Sequence, residues 1–219
     1  MNTIAIIDYG MGNLHSIAKA LEHVAGRRVR VTANAREILT AERVVFPGQG
    51  AARDCMHEIR EAGLVEVIRE AAQTKPFLGI CMGLQVLLEH SDEGNGVACL
   101  GMVPGHVRYL GTDVDPAAGR LKIPQMGWNQ VEQVQRHPLW DGIDDLTRFY
   151  FVHSYYVDPD DPTLAAGITD YGRRYASVLA RDNVFAVQFH PEKSQHAGLR
   201  LLANFIQWDG TVPQRQNQE

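Results

Sequence analysis

The sequence of 219 residues is poor in cysteine: it has only Cys55, Cys81 and Cys99, and no Cys-x-x-Cys pair. This sparse, odd set argues against a disulfide framework and indicates a reducing compartment. No apolar run is long enough to span a bilayer, and the N-terminus lacks the basic stretch of a signal peptide. We therefore expect a cytoplasmic protein with no membrane partner.

Motifs for polyanions and cofactors are missing as well. The formal net charge is −5, which argues against nucleic acid as the main partner. Gly10 and Gly12 begin a dinucleotide-type pattern, but His15 stands where the third glycine belongs. No histidines have H-x-x-x-H or H-x-x-E-H spacing, so we expect no metal and no other cofactor.

The first half of the chain alternates two kinds of hydrophobic pattern. Short apolar runs predict strands at Ile4–Ile7, Val29–Val31, Val44–Phe46 and Phe77–Ile80. Helical spacing predicts a helix capped by Asn13, a long helix from Met56 to Ala71, and a buried helix over Leu84–Glu89. This alternation indicates an α/β fold with a largely parallel central sheet and helices on both faces.

The second half reads differently, as strands separated by turn-rich stretches. Strands are predicted at Val97–Leu110, Trp128–Val134, Phe149–Val157, Leu164–Ile168, Tyr175–Leu179 and Val184–Phe189. They indicate an antiparallel or mixed extension of the same sheet. A final amphipathic helix follows, so residues 1–208 form one predicted domain. Residues 209–219 form a polar tail that we expect to fray.

The sharpest local feature is Gly79-Ile-Cys81-Met-Gly83, where a cysteine follows an apolar strand and precedes a helix. This G-x-C-x-G spacing matches a nucleophile elbow with sulfur in place of oxygen. A helix N-terminus would also favour the thiolate. The alternative is a buried structural cysteine, which is the reading we give Cys55 and Cys99.

A base and its orienting group follow the last apolar strand. His190 and Glu192 stand two residues apart, so both side chains can lie on one face of an extended segment. A carboxylate beside an imidazole fixes its tautomer, and cysteine, histidine and carboxylate together suit acyl transfer. Parallel strands would bring them to Cys81 at the carboxyl edge of the sheet. The alternative is a surface histidine in a strand-end turn.

A third motif, Pro47-Gly48-Gln49-Gly50, follows another predicted strand. Its glycines would let a backbone N–H approach a developing oxyanion, with the amide of Met82 as the second donor. Taken alone, the segment indicates no more than a simple turn.

Together, Gly79–Gln85, Gln188–Glu192 and Pro47–Gly50 resemble the nucleophile, histidine–glutamate and oxyanion motifs of the class I glutamine amidotransferases. The motifs occur in the family order and span nearly the whole domain. The resemblance implies that Cys81, His190 and Glu192 release ammonia from glutamine. It assigns substrate binding to Gly48, Gly50, Gln85, His153, Ser154 and Tyr155. Gln49 replaces a valine found in some members, but the expected oxyanion donor there is a backbone amide.

Four further segments narrow the resemblance to one branch of the family, the glutaminases of imidazole glycerol phosphate synthases. They are Ile7–Leu14, Pro124–Asn129, Tyr150–Tyr155 and His190–Ser194. This branch implies a heterodimer with a (β/α)8-barrel cyclase that receives the ammonia through a channel, in histidine biosynthesis. Asn13, Trp128, Tyr150 and Lys193 are the candidate interface residues. A peptide or ester hydrolase and a non-enzymatic scaffold remain the alternatives.

Overall fold

The computed structural model describes residues 3–112 and 121–212. Its helices are α1 Leu14–Ala25, α2 Ala35–Thr40, α3 Ala52–Glu61, α4 Val65–Thr74, α5 Met82–Gln85 and α6 Gln195–Gln207. Its strands are β1 Ile4–Ile7, β2 Arg30–Thr32, β3 Arg43–Gly48, β4 Phe77–Cys81, β5 Leu88–Ser91, β6 Val97–Ala98, β7 Val103–Tyr109, β8 Gln125–Gln130, β9 Glu132–Gln133, β10 Arg148–His153, β11 Tyr155–Pro159, β12 Ala165–Asp170, β13 Arg174–Arg181 and β14 Val184–Val187.

Five parallel strands form one half of the main sheet, in the order β2-β1-β3-β4-β14. All four residues of β1 and all five of β4 are buried. Strands covered on both faces read as continuous apolar runs, and this is why the sequence shows them so clearly. The predicted parallel sheet is confirmed.

The sheet continues beyond β14 through β13, β11, β7, β5 and β6, with β12 and β9 branching from β13. Every contact in this half is antiparallel except the parallel pair of β5 and β7. The predicted mixed extension is therefore also confirmed.

Strands β8 and β10 form a separate two-stranded antiparallel sheet. Their inward side chains include Phe149 and Phe151, whose rings lie 4.0 and 5.7 Å from that of Phe189. Their outward side chains include Met126 and Trp128, which are 60% and 42% exposed. The small sheet therefore covers the core on one side and leaves an apolar surface on the other.

The core consists of two hydrophobic layers, one on each face of the main sheet. Ile17 of α1 and Leu201 of α6 pack on one face, whereas Ile59 of α3 and Ile68 of α4 pack on the other. Neighbouring residues of β1 alternate between the layers, since Ile6 belongs to the first and Ile7 to the second. Helices thus cover both faces, as predicted.

The long helix predicted from Met56 to Ala71 is wrong, because the segment forms two helices, α3 and α4. Gly63 adopts a φ of +66°, and the N–H of Leu64 donates to the carbonyl of Ile59 at 3.0 Å. This is the Schellman ending that a left-handed glycine allows.

The helix predicted over Leu84–Glu89 is also wrong beyond its first turn. Helix α5 ends at Gln85, and Leu88 begins strand β5, which pairs with β7. Residues Val86, Leu87 and Leu88 are all buried, so pairing and burial outweigh the helix propensity of this leucine-rich segment.

Three predicted strands are each interrupted. Val97–Leu110 divides into β6 and β7, Trp128–Val134 into β8 and β9, and Phe149–Val157 into β10 and β11. The last break falls at Ser154, where the chain passes from the small sheet to the main one.

The start of the predicted tail packs against the domain, since the carbonyl of Thr211 accepts a hydrogen bond from Nε1 of Trp208 at 2.6 Å. Residues 213–219 of that tail lie outside the described residues, as do residues 113–120 of the turn-rich stretch between β7 and β8. No helix within the described ranges is long and apolar enough to cross a membrane.

Candidate active site

Cys81 occupies the junction between strand β4 and helix α5. Its φ of 56° and ψ of −109° are a strained combination for a residue with a side chain, and such strain collects at functional sites. The geometry is that of a nucleophile elbow, which turns the side chain out at the end of the strand. Because α5 is a single turn, its dipole favours the thiolate less than the dipole of the longer predicted helix would.

The two glycines of the elbow are required by close packing. A Cβ on Gly79 would lie 2.9 Å from Cβ of Ala186, and a Cβ on Gly83 would collide with the backbone carbonyl of Phe46. The neighbouring strands β3 and β14 therefore approach the nucleophile turn more closely than any side chain permits.

Strand β14 delivers the base to the same edge of the sheet. It pairs with β4 so that Val187 lies beside Ile80, and His190 follows three residues later. Nδ1 of His190 lies 2.8 Å from Oε1 of Glu192, and the two side chains are only 5% and 1% exposed. The carboxylate is therefore placed to hold the imidazole in one tautomer.

The protonation of His190 follows from these neighbours. Burial disfavours its charged form, but hydrogen bonds and charge attraction from Cys81 and Glu192 together outweigh that effect and raise the pKa of His190 to about 10. At neutral pH the ring therefore carries a proton next to the sulfur. In contrast, burial raises the pKa of Cys55 and of Cys99 to about 11, so these thiols remain protonated.

The predicted oxyanion motif lies beside the nucleophile. Strand β3 continues through Pro47, beyond its predicted end, and Gly48 pairs with Cys81 across to β4. Two buried side chains donate hydrogen bonds to carbonyl groups of this segment. The hydroxyl of Tyr9 donates to the Pro47 carbonyl at 3.0 Å, and Sγ of Cys55 donates to the Gln49 carbonyl at 3.4 Å.

A cavity of about 630 Å³ joins these parts. Its lining includes nearly every predicted catalytic, oxyanion and substrate-binding residue: Gln49, Gly50, Cys81, Met82, Gln85, His153, Ser154, Tyr155 and His190. Gly48 lies beneath this lining instead, against Tyr9 and Met82. The ring of His153 is turned into the core, where Nδ1 bonds the Tyr155 carbonyl at 2.8 Å.

Two polar residues at the site were missed by the sequence analysis. Glu93 lines the cavity, and its Oε2 accepts a hydrogen bond from the amide of Ala52 at 2.6 Å. Gln188 is fully buried, and its Nε2 lies 3.7 Å from Sγ of Cys81. Gln188 could have been found from its place in the Gln-Phe-His-Pro-Glu motif, whereas Glu93 stands in a turn with no recognisable signal.

The four predicted interface residues occupy different environments. Trp128 and Tyr150 pair across β8 and β10, with ring centroids 6.1 Å apart. Lys193 is exposed at the cavity edge. Asn13 caps α1, with its Oδ1 accepting from the amide of Ser16 at 3.4 Å, so its capping role is confirmed while its interface role stays a prediction.

Two other kinds of site could carry a function, a metal-binding cluster and a second cavity. Within residues 3–112 and 121–212, no three histidine, cysteine or acidic side chains cluster so as to hold a metal ion. A separate cavity of about 550 Å³ beside α4 is lined by both apolar and charged side chains, and none of the predicted site residues lines it.

The chain is similar to known proteins over nearly its whole length. The family model described as glutamine amidotransferase class-I matches residues 5–208. The chain is 57% identical over 210 residues to imidazole glycerol phosphate synthase subunit HisH 1 of Pseudomonas aeruginosa, covering 96% of this chain and 99% of the relative. It is 58% identical over 211 residues to imidazole glycerol phosphate synthase subunit HisH of Nitrosococcus oceani, with the same coverage. Among solved structures, PurLQS from Thermotoga maritima superposes with a TM-score of 0.69 at 16% identity, over 94% of this chain and 99% of that one.

Proposed function

The chain belongs to the class I glutamine amidotransferase family, and on that premise we propose that Cys81, His190 and Glu192 hydrolyse the side-chain amide of glutamine. The chain is the glutamine amidotransferase subunit of an imidazole glycerol phosphate synthase, in histidine biosynthesis. The observation that carries the proposed chemistry is the cavity in which the nucleophile, its base and the oxyanion segment meet.

The first half of the reaction uses the protonated His190. The thiolate of Cys81 attacks the carboxamide carbon of glutamine, and the amides of Gln49 and Met82 hold the oxyanion of the tetrahedral intermediate. His190 gives its proton to the nitrogen, the C–N bond breaks, and ammonia leaves. A γ-glutamyl thioester remains on Cys81.

The second half returns the enzyme to its starting state. Neutral His190 takes a proton from water as the water oxygen attacks the thioester carbon. The C–S bond then breaks, its electron pair returns to Cys81, and glutamate is released. Glu192 stabilises the imidazolium each time it forms, because its carboxylate accepts from Nδ1 at 2.8 Å.

Glu93 gives the cavity a charge that suits the rest of the substrate. Glutamine carries an α-ammonium group, and Glu93 is the acidic residue among the described residues that line the cavity. We assign the ammonium group to this carboxylate. Gln85, Gly50 and the segment His153–Tyr155 line the remaining wall and complete the binding site.

The relatives' names describe subunits, which implies a complex with a cyclase subunit. We propose that this partner is a (β/α)8 barrel and that it docks on the outward face of β8 and β10. Met126 and Trp128 expose apolar surface there, and Val152 and Lys193 also line the cavity. A partner on this face would cover the cavity mouth, so that ammonia leaves without meeting solvent.

A cytoplasmic location fits this chemistry. All three cysteines are free thiols, and the proposed reaction requires Cys81 to stay reduced, as the cytoplasm ensures.

Glutamate release from glutamine tests the proposal, measured with the purified chain alone and then with a barrel cyclase and its ribonucleotide substrate. We expect release that rises strongly in the complex and is absent in Cys81→Ala. Equal release in both samples would support the glutaminase activity but contradict the proposed partner. No release in either would overturn the mechanism.

A further inference from the structure

Two buried glutamine amides connect the nucleophile to the wall of the cavity. Nε2 of Gln85 lies 3.0 Å from the Tyr155 carbonyl and 3.0 Å from Oε1 of Gln188. Nε2 of Gln188 in turn lies 3.7 Å from Sγ of Cys81. Gln85 is 3% exposed and Gln188 is fully buried, so water does not satisfy these groups.

The direction of this chain is determined by its far end. A backbone carbonyl can only accept, so Gln85 must present its NH₂ group to Tyr155. The second hydrogen of that NH₂ group requires an acceptor, so Gln188 must present its oxygen to Gln85. Reversing either amide would place an acceptor against an acceptor or a donor against a donor in a buried site, and leaving such groups without hydrogen bonds costs free energy. Gln188 therefore has its N–H left for the sulfur.

We propose that Gln188 is a further catalytic residue, whose N–H holds the Cys81 sulfur as a thiolate, while Gln85 and the Tyr155 carbonyl are positioning groups that fix its direction. The importance of the contact between Gln188 and Cys81 for turnover rests on the proposed glutaminase function. The stabilisation of the thiolate is independent of that function, because the contact forms without substrate.

A second donor has a definite use in the reaction. His190 loses its proton when ammonia leaves, and it regains one only as water attacks. A side-chain amide cannot lose its proton in this pH range, so Gln188 can donate to the sulfur whichever form His190 takes. Sulfur carries charge before the attack and as the thioester breaks. His190 is protonated at both moments, but its proton is the one that goes to the leaving nitrogen, whereas Gln188 gives up no proton and remains a donor throughout.

Other charged or polar groups interact with Cys81 and are held constant in the test. His190, whose Nδ1 bonds Glu192, interacts electrostatically with Cys81, as do Tyr9 and Cys55. Glu93 and Lys193 line the shared cavity. None of these is changed when Gln188 alone is replaced.

The test is the rate of Cys81 alkylation by iodoacetamide as a function of pH, read by peptide mass spectrometry in the full chain without glutamine. Cys55 and Cys99 react slowly below pH 9, because the pKa of each is about 11. Gln188→Met keeps the side-chain length and removes the donor. We expect the midpoint of the rate profile to rise by about one pH unit, and by more in Gln188→Glu.

Thr169→Val is the matched control, since it also removes a buried hydrogen bond, from Oγ1 of Thr169 to the hydroxyl of Ser177 at 2.7 Å. Its midpoint should equal that of the unmodified chain. A folded Gln188→Met with an unchanged midpoint would overturn the proposal. If Gln188→Met does not fold, Gln85→Met decides: a raised midpoint supports the chain of amides and an unchanged one overturns it.

Glutamine turnover separates this proposal from the function on which it draws. With an active enzyme, Gln188→Met should lower kcat by at least about tenfold with little change in KM. If Gln188→Met raised the alkylation midpoint but the unmodified chain did not hydrolyse glutamine, the role of Gln188 as a donor to the sulfur would stand. The proposed glutaminase function would then be wrong.

Discussion

The amide of His190 donates to the carbonyl of Tyr150 at 2.9 Å. The amide of Tyr150 in turn donates to Oγ of Ser194, whose hydroxyl bonds the His190 carbonyl at 2.7 Å. The turn that carries the base is thus fastened to β10, and the outward face of β10 is the proposed docking surface. Partner binding would therefore act on a strand that is bonded directly to the catalytic machinery.

Replacing Trp128 with alanine should weaken the complex with the cyclase. The indole is 42% exposed on the proposed docking face, and buried aromatic anchors dominate interface energies. We expect Kd to rise at least about tenfold, with glutaminase activity of the free chain unchanged. Titration calorimetry measures the affinity. Val31→Ala, which truncates a 40% exposed side chain on edge strand β2, should leave it unaltered.

Replacing Glu192 with glutamine should impair catalysis without disturbing the fold. Oε2 of Glu192 is buried without a hydrogen-bond partner among the described groups, so an NH₂ group there breaks no existing bond, although a buried donor costs about 1 to 3 kcal/mol where no acceptor is in reach. The imidazolium loses its counter-charge, and we expect kcat for glutamine hydrolysis to fall about a hundredfold or more. Steady-state kinetics that showed full kcat would contradict the role of Glu192.

Replacing Glu93 with glutamine should weaken substrate binding. The new side chain can still accept from the Ala52 amide but loses the charge that we pair with the α-ammonium group. We expect KM for glutamine to rise about tenfold, with a smaller effect on kcat. Glutaramate, which lacks the amino group, should be affected far less. An equal loss for both substrates would place the ammonium group elsewhere.

Replacing Gly83 with alanine should destabilise the fold strongly, because its Cβ would collide with the Phe46 carbonyl. We expect a loss of about 3 kcal/mol in the free energy of unfolding, measured by urea denaturation. Gly101→Ala is the control. Gly101 has a φ of +66° and no atom within 4 Å of an added Cβ, so only the backbone penalty of about 1 kcal/mol applies.

Stability should also fall as the pH drops below 6.5. Burial lowers the pKa of His137 to about 4, and that of His153 likewise. The unfolded chain takes up a proton at each site near pH 6.5, whereas the folded chain does not until about pH 4. The stability that each neutral histidine contributes is therefore fully present well above pH 6.5. By pH 5 the free energy of unfolding has fallen by roughly 2 kcal/mol per site.

Denaturation curves at pH 7.5 and pH 5 measure this loss. His137→Asn should make the loss between pH 7.5 and pH 5 smaller by roughly 2 kcal/mol, since asparagine can still accept from the Leu139 amide as Nδ1 of His137 does at 3.1 Å. An unchanged pH dependence in this variant would contradict a neutral, buried His137.

The sequence predicted the parts of the fold that follow from local pattern. The buried strands β1, β3, β4 and β14 appear as apolar runs, and their parallel pairing brings the motifs that end them to one edge. Predicting that Cys81 and His190 would share a site therefore needed only strand order. The same reasoning extended to Gly48, which pairs with Cys81.

Features decided by long-range contacts could not be predicted in this way. Leu88 reads as helical, and only its pairing with β7 makes it a strand. Gly63 fits the helical spacing of its apolar neighbours, and only the backbone shows it as a terminator. Glu93 enters the cavity because its carboxylate bonds Ala52, a contact between residues far apart in sequence.

The backbone at Cys81 has a consequence for how this protein can evolve. A φ of 56° with a ψ of −109° is easy for glycine and unfavourable for any other residue. Cys81→Gly would relieve that strain, so the inactive form should melt at a higher temperature than the active one. Selection for thermal robustness alone would then erase the nucleophile, and only the demand for ammonia keeps a side chain at this position.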